Sequence, residues 1–236
     1  MKKSLLLIVL LYATSNMFAQ KEWFTLYQDS TMLVSDAEKI TTAFKNDIKR
    51  LSPSTKFEIK AVLNTSPFLI YYDNRDITAN LPIWDQVIPE QKTFFYEVAG
   101  SETEGREIFG LFFNGFYLPH ELAHAFQDAT SENEVALSYQ NEYLANTVAI
   151  LWWRKQQRES DLKRCYEYAK KIAAELRNPV PEGMTEEEYF TKNYEAASRN
   201  PYIYGYMQFR QFIKIYEDKS LPDFDTYIKT YLKKKQ

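Results

Sequence analysis

The chain contains two histidines, and they stand four residues apart in His120-Glu121-Leu122-Ala123-His124. That spacing constrains the fold more than any other feature. On an α-helix, residues four apart share a face, so both imidazoles can address one point in space while Glu121 sits one residue around. Of roughly 27,700 position pairs only about 232 are four apart, so random placement gives this spacing under about 1% of the time before Glu121 is required. Pro119 suits a position just before or in the first turn, where its missing N–H costs little.

Two histidines on one helix face, with a glutamate beside them, are the donor set of a zinc ion and a general base. Zinc in a hydrolytic site takes three protein ligands and leaves a fourth position to water. With no third histidine, the remaining ligand is expected to be a carboxylate. The metzincin arrangement is excluded, because Gln127 and Thr130 stand where its glycine and third histidine belong. Asp128, Glu132, Glu134 and Glu142 are the downstream candidates. Asp128 lies one turn beyond His124 and could orient a ligand, but it cannot close the coordination shell from there. Glu142 is the first choice, since residues 139–151 form a helix-compatible run whose small Ala145 and Ala149 allow close helix approach. Asn146, one turn further, could hydrogen-bond a histidine ligand. Glu134 is the main competitor.

The 236 residues, 45% of them hydrophobic, suit one well-buried domain. Residues 1–19 differ in kind: Lys2 and Lys3 precede an apolar run over 5–12, then small and polar residues end at Ala19. This reads as a signal peptide, leaving a single domain over 20–236 and a secreted or periplasmic protein. Met17 is larger than the residue expected three positions before the cut. The apolar run is shorter than the about 20 residues of a membrane span, so no stable span is expected after cleavage. Loss of Lys2 and Lys3 moves the formal charge from −3 to −5, which offers no footprint for nucleic acid or anionic lipid. Lys233, Lys234 and Lys235 read as a solvated tail. Cys165 is the single cysteine, so no intramolecular disulfide can form. It reads as an inert packing residue.

There is no internal repeat and no Gly/Ser linker. Ser35 can cap a helix over 36–51, with Ala37, Ile40, Ala43, Phe44 and Ile48 at helical spacing. Strand-like runs follow at 57–63, 68–72, 93–98 and 107–113, the last ending at the turn signal Asn114-Gly115. From Tyr117 the pattern is helical, with helices over 120–127, 134–157 and 160–176. Thr185 and Glu188 form a capping-box pattern, Asn200-Pro201 opens another helix, and a short one covers 223–232. Strands first and helices afterwards predict an α+β domain, with a mixed helix/strand N-terminal half carrying a small sheet and a mainly helical C-terminal half.

His-Glu-Leu-Ala-His at 120–124, followed after 17 residues by Glu-Tyr-Leu-Ala-Asn at 142–146, resembles the gluzincin metallopeptidases. The resemblance is specific over 118–150. It is weaker over 202–216, where Tyr-Ile-Tyr-Gly-Tyr-Met-Gln-Phe-Arg-Gln-Phe is similar to a Tyr- and Phe-bearing helix near the end of some members. It implies a zincin-like fold, zinc held by His120, His124 and Glu142, Glu121 as general base, and a peptide or protein substrate. Thermolysin-like members use a further histidine to stabilise the transition state, and this chain has none. A tyrosine is the expected substitute: Tyr206 first, then Tyr202 and Tyr204. The run 107–113 is a candidate edge strand to pair with an extended peptide. A second reading is a zinc-binding periplasmic or surface interaction protein that retains the motif without turnover, and a third is a structural helix without metal.

Overall fold

The computed structural model describes residues 23–66, 68–131 and 138–235. The signal-peptide segment, Glu132 and Glu134 therefore lie outside the described residues. The first helix, α1 (Ser30–Leu51), begins more than a turn before Ser35, because the Asp29 side chain accepts the Met32 amide at 2.8 Å and caps the helix there. Its buried stripe, Leu33, Ala37, Thr41, Phe44 and Ile48, keeps the 3.6-residue period.

Three short strands follow: β1 (Lys60–Leu63), β2 (Tyr71–Asp73) and β3 (Thr78–Leu81). The spatial order is β1-β3-β2, with β1 parallel and β2 antiparallel to β3. Strand β3, absent from the sequence-based expectations, is the central one, and Ala79, Asn80 and Leu81 are buried. The edge strand β2 leads into β3 through a tight turn in which Ile77 takes φ of 53°, a left-handed conformation costly for a β-branched residue.

Two expected strands are helices. The run 93–98 lies in α2 (Pro89–Ala99) and the run 107–113 in α3 (Glu102–Leu111) and the π-helical turn Phe112–Phe116. Their aromatic content suggested strands, yet Phe94, Phe95, Val98 and Ala99 are buried at helical spacing behind Pro89 in the first turn. The 107–113 segment therefore offers no sheet edge. Asn114-Gly115 is likewise no turn: both sit inside the π-helical segment that joins α3 to α4 (Tyr117–Ala129). Asn114 is fully buried, accepting the Tyr27 amide at 3.4 Å and donating to the Pro82 carbonyl at 2.9 Å. Glycine is required nearby, since a Cβ at Gly110 would lie 2.5 Å from the Leu26 amide nitrogen.

The remaining helices are α5 (Tyr139–Lys155), α6 (Glu159–Glu175), α7 (Glu186–Ser198), α8 (Pro201–Glu217) and α9 (Phe224–Lys233). Ser138 caps α5, the Thr185/Glu188 capping box starts α7, and Asn200 with Pro201 starts α8. The domain is α+β, with a small sheet in the N-terminal half and helices throughout the rest. At its centre α4 packs on α5; the sheet and α1 contact α4, whereas α7 and α8 contact α5. Among the described residues no helix is long and apolar enough to cross a membrane.

Candidate metal centre

Helix α4 presents His120 and His124 toward α5, and Glu142 meets them from the first turn of α5. The Nε2 atoms of the two histidines are 3.1 Å apart, and Oε2 of Glu142 lies 3.2 Å from that of His120 and 3.6 Å from that of His124. A regular tetrahedron of N and O ligands with bonds of about 2.0–2.1 Å has edges of about 3.3–3.4 Å. The three side chains form a triangle of that size. Among the described residues they are the one group of three or more metal-binding side chains close enough to share an ion.

The hydrogen bonds around the triangle fix which atoms point into it. Main-chain carbonyls only accept, so the chain of assignments starts from two of them. Gln211 Nε2 donates to the Tyr139 carbonyl at 3.0 Å, which turns its Oε1 toward Asn146. Asn146 Nδ2 donates to Oε1 of Gln211 at 3.0 Å and of Gln208 at 2.8 Å, so its Oδ1 faces His120 Nδ1 at 2.9 Å. Gln127 Nε2 donates to the Asn141 carbonyl at 3.1 Å, leaving its Oε1 for His124 Nδ1 at 2.8 Å. Both Nδ1 atoms therefore carry hydrogens, and both Nε2 lone pairs converge beside the carboxylate. Three inward lone pairs are a receptor for a cation, and the residues present fit a divalent metal.

Electrostatics agree with that geometry. Burial works against ionising Glu142, yet the positive charge of protonated His124 and its hydrogen bond to the carboxylate outweigh it in the metal-free site and hold the carboxyl well below its ordinary range. Burial also disfavours a charged His124, but the charge and hydrogen bond of Glu142 and the charge of Glu121 lift it up to about 9. The site thus attracts a positive charge, which a proton supplies when a metal does not.

Glu121 stands apart from the triangle. It is 6% exposed, and burial raises its pKa against the opposing pull of both histidines. The backbone of Tyr72 in β2 lies near the carboxylate and also opposes the rise. Burial and the charge of Asp128, two turns along α4, raise the Tyr72 hydroxyl, and β2 packs on the motif helix.

Tyr206 stands on another side of α8. At about 100° per residue it lies some 200° around α8 from both Tyr204 and Gln208. Its surroundings are Glu186 and Arg210. The tyrosines beside the cluster are Tyr117, whose ring meets His120 edge to face at 5.4 Å, Tyr194 and Tyr204. Tyr194 Oη donates to Glu142 Oε1 at 2.6 Å, and Gln208 Nε2 donates to Glu142 Oε2 at 2.7 Å and to Tyr204 Oη at 2.9 Å. Gln208 and Gln211 were legible in principle: they are glutamines one turn apart among the apolar Met207, Phe209, Phe212 and Ile215. Tyr194 has no such local signal.

No protein-family model matches the chain, and neither a curated protein nor a solved structure does.

Proposed function

We propose that this chain is an exported zinc-dependent metallopeptidase of gluzincin type, with a zincin-like fold and with His120, His124 and Glu142 as the metal ligands. The observation that carries the reading is the arrival of Glu142, from a different helix, at tetrahedral distance from two histidines whose Nε2 lone pairs already converge. A structural zinc site usually closes its shell with four protein ligands, whereas three ligands and a nearby spare glutamate suit catalysis.

Zinc held there supplies a Lewis acid that makes water more acidic. Glu121 takes the proton from the attacking water and returns it to the leaving amine. Its raised pKa brings it nearer the working range of a proton shuttle. Support for a peptide substrate comes from β2. It is an edge strand of the sheet and packs against α4, with its backbone at Tyr72 beside Glu121. An extended chain added along that strand passes the glutamate. This strand takes the part expected of residues 107–113.

One observation favours the second reading, a metal-bearing interaction protein without turnover: His120 is 3% and Glu142 2% exposed, so only the His124 edge of the cluster is open. The substitution Glu121→Gln separates the two. Peptide hydrolysis falls by about 10²-fold or more while metal content is unchanged if Glu121 is the base. Full hydrolysis by the variant overturns that assignment, and a wild-type protein that binds zinc but cleaves no peptide library supports the second reading.

A further inference from the structure

Glu142 has two oxygens, and the structure treats them differently. Oε2 faces both histidine Nε2 atoms, at 3.2 and 3.6 Å. Oε1 instead accepts the Tyr194 hydroxyl at 2.6 Å. We infer that Tyr194 is a positioning residue of the metal centre: it occupies Oε1 so that Glu142 binds a metal ion through Oε2 alone, leaving the remaining coordination space for water and substrate. This rests on the metal-centre part of the reading above.

The fold commits Tyr194 to this contact. The first half of α7 is anchored on the start of α5: Phe190 is fully buried and stacks on Tyr139 at 6.3 Å, and Glu187 accepts from Gln140 at 2.6 Å. The helix then breaks at Asn193, whose φ of −117° and ψ of 16° are not helical. The Asn193 side-chain amide donates to the Tyr189 carbonyl at 2.8 Å, satisfying the acceptor beside the break. Immediately after the kink comes Tyr194, directed inward at the carboxylate, while Asn193 and Glu195 on either side are exposed. The Tyr204 ring meets the phenol ring edge to face at 6.2 Å. Gln208 meanwhile donates to Oε2 at 2.7 Å, using one lone pair of that oxygen and leaving the other for a metal. Both oxygens are thus assigned, and neither is free to swing.

A carboxylate freed at one oxygen can chelate through both, which raises the coordination number and consumes an open position. Cobalt(II) reports this directly, because its visible d–d absorption weakens as the coordination number rises from four. Wild-type protein and Tyr194→Phe, each loaded with one equivalent of cobalt(II), are compared by visible spectroscopy, with thermal unfolding checking that the variant folds. Phenylalanine keeps the ring contact with Tyr204 and removes only the hydroxyl. The expected result is an intense wild-type band that falls by roughly twofold or more in Tyr194→Phe, and no change in Tyr206→Phe. Asn193→Ala, which removes the side chain at the kink, is the second variant and weakens the band in the same direction. Unchanged spectra in both Tyr194→Phe and Asn193→Ala overturn the inference. Failure of the wild-type protein to take up cobalt overturns the metal-centre reading itself, and the clamp with it.

Discussion

Replacing Asn146 with alanine removes one fully buried side chain and three hydrogen bonds at once. Left behind are the Nδ1 hydrogen of His120 and the Oε1 atoms of Gln208 and Gln211. Each buried unsatisfied group costs about 1–3 kcal/mol, so even the low ends together approach about 3 kcal/mol of stability in the metal-free protein. Metal binding is affected separately. Asn146 fixes the tautomer and ring orientation of His120, and it holds Gln208, which in turn holds Glu142; losing such a partner lowers metal affinity by about 10–100-fold. At about 1.36 kcal/mol per decade that is roughly 1.4–2.7 kcal/mol. A competition titration against a chromophoric chelator measures it. In thermal melts at saturating zinc, the metal-induced rise in Tm shrinks by roughly 3–10 °C relative to wild type. An affinity within about threefold of wild type refutes the reasoning, because His120 would then hold its tautomer without Asn146.

Two further predictions follow from single features. In metal-free protein His124 is raised to about 9, so a proton must leave before a metal enters: zinc affinity climbs by about tenfold per pH unit from neutrality and flattens near pH 9. The sign for stability is opposite. A raised histidine stabilises the metal-free fold fully below the unfolded value of about 6.5 and loses that contribution as pH rises toward 9, so the metal-free Tm falls over this range while the zinc-bound Tm does not. Isothermal titration and melts at several pH values check both, and a pH-independent affinity contradicts the first. The second concerns the fold: Gly110→Ala places a methyl 2.5 Å from the Leu26 amide nitrogen and 2.7 Å from the Thr25 carbonyl carbon, so α3 must separate from the segment before α1. A loss of about 1–3 kcal/mol or more in denaturant unfolding is expected, and an unchanged midpoint counts against the close approach.

How much of this was legible in the sequence depended on whether the information was local. His120, Glu121 and His124 declare themselves through helical spacing, and Glu142 with Asn146 through one turn of a neighbouring helix. The caps at Thr185/Glu188 and Asn200 are equally local, and the structure has them where the residues put them. Strand assignment failed where composition competed with context. Residues 93–98 and 107–113 carry aromatic and β-branched side chains, but an aromatic core packs helices as readily as strands: Phe95 meets Phe109 at 5.6 Å across α2 and α3. Strand β3 escaped notice because Thr78-Ala79-Asn80-Leu81 has little β character by itself and is formed by its two neighbours. Tyr206 is out of phase with Tyr204, Gln208 and Gln211, which share the face of α8 that meets the cluster. Tyr194 lay beyond sequence reasoning, because only tertiary packing and the break at Asn193 bring it to Glu142.

The central claim is that His120, His124 and Glu142 together hold one metal ion. Elemental analysis of purified protein, as wild type and as Glu142→Ala, tests it most directly. About one zinc per chain in the wild type, lost from Glu142→Ala after dialysis, is the predicted result. A wild-type protein that takes up no metal, or a Glu142→Ala protein that keeps its full complement, contradicts it.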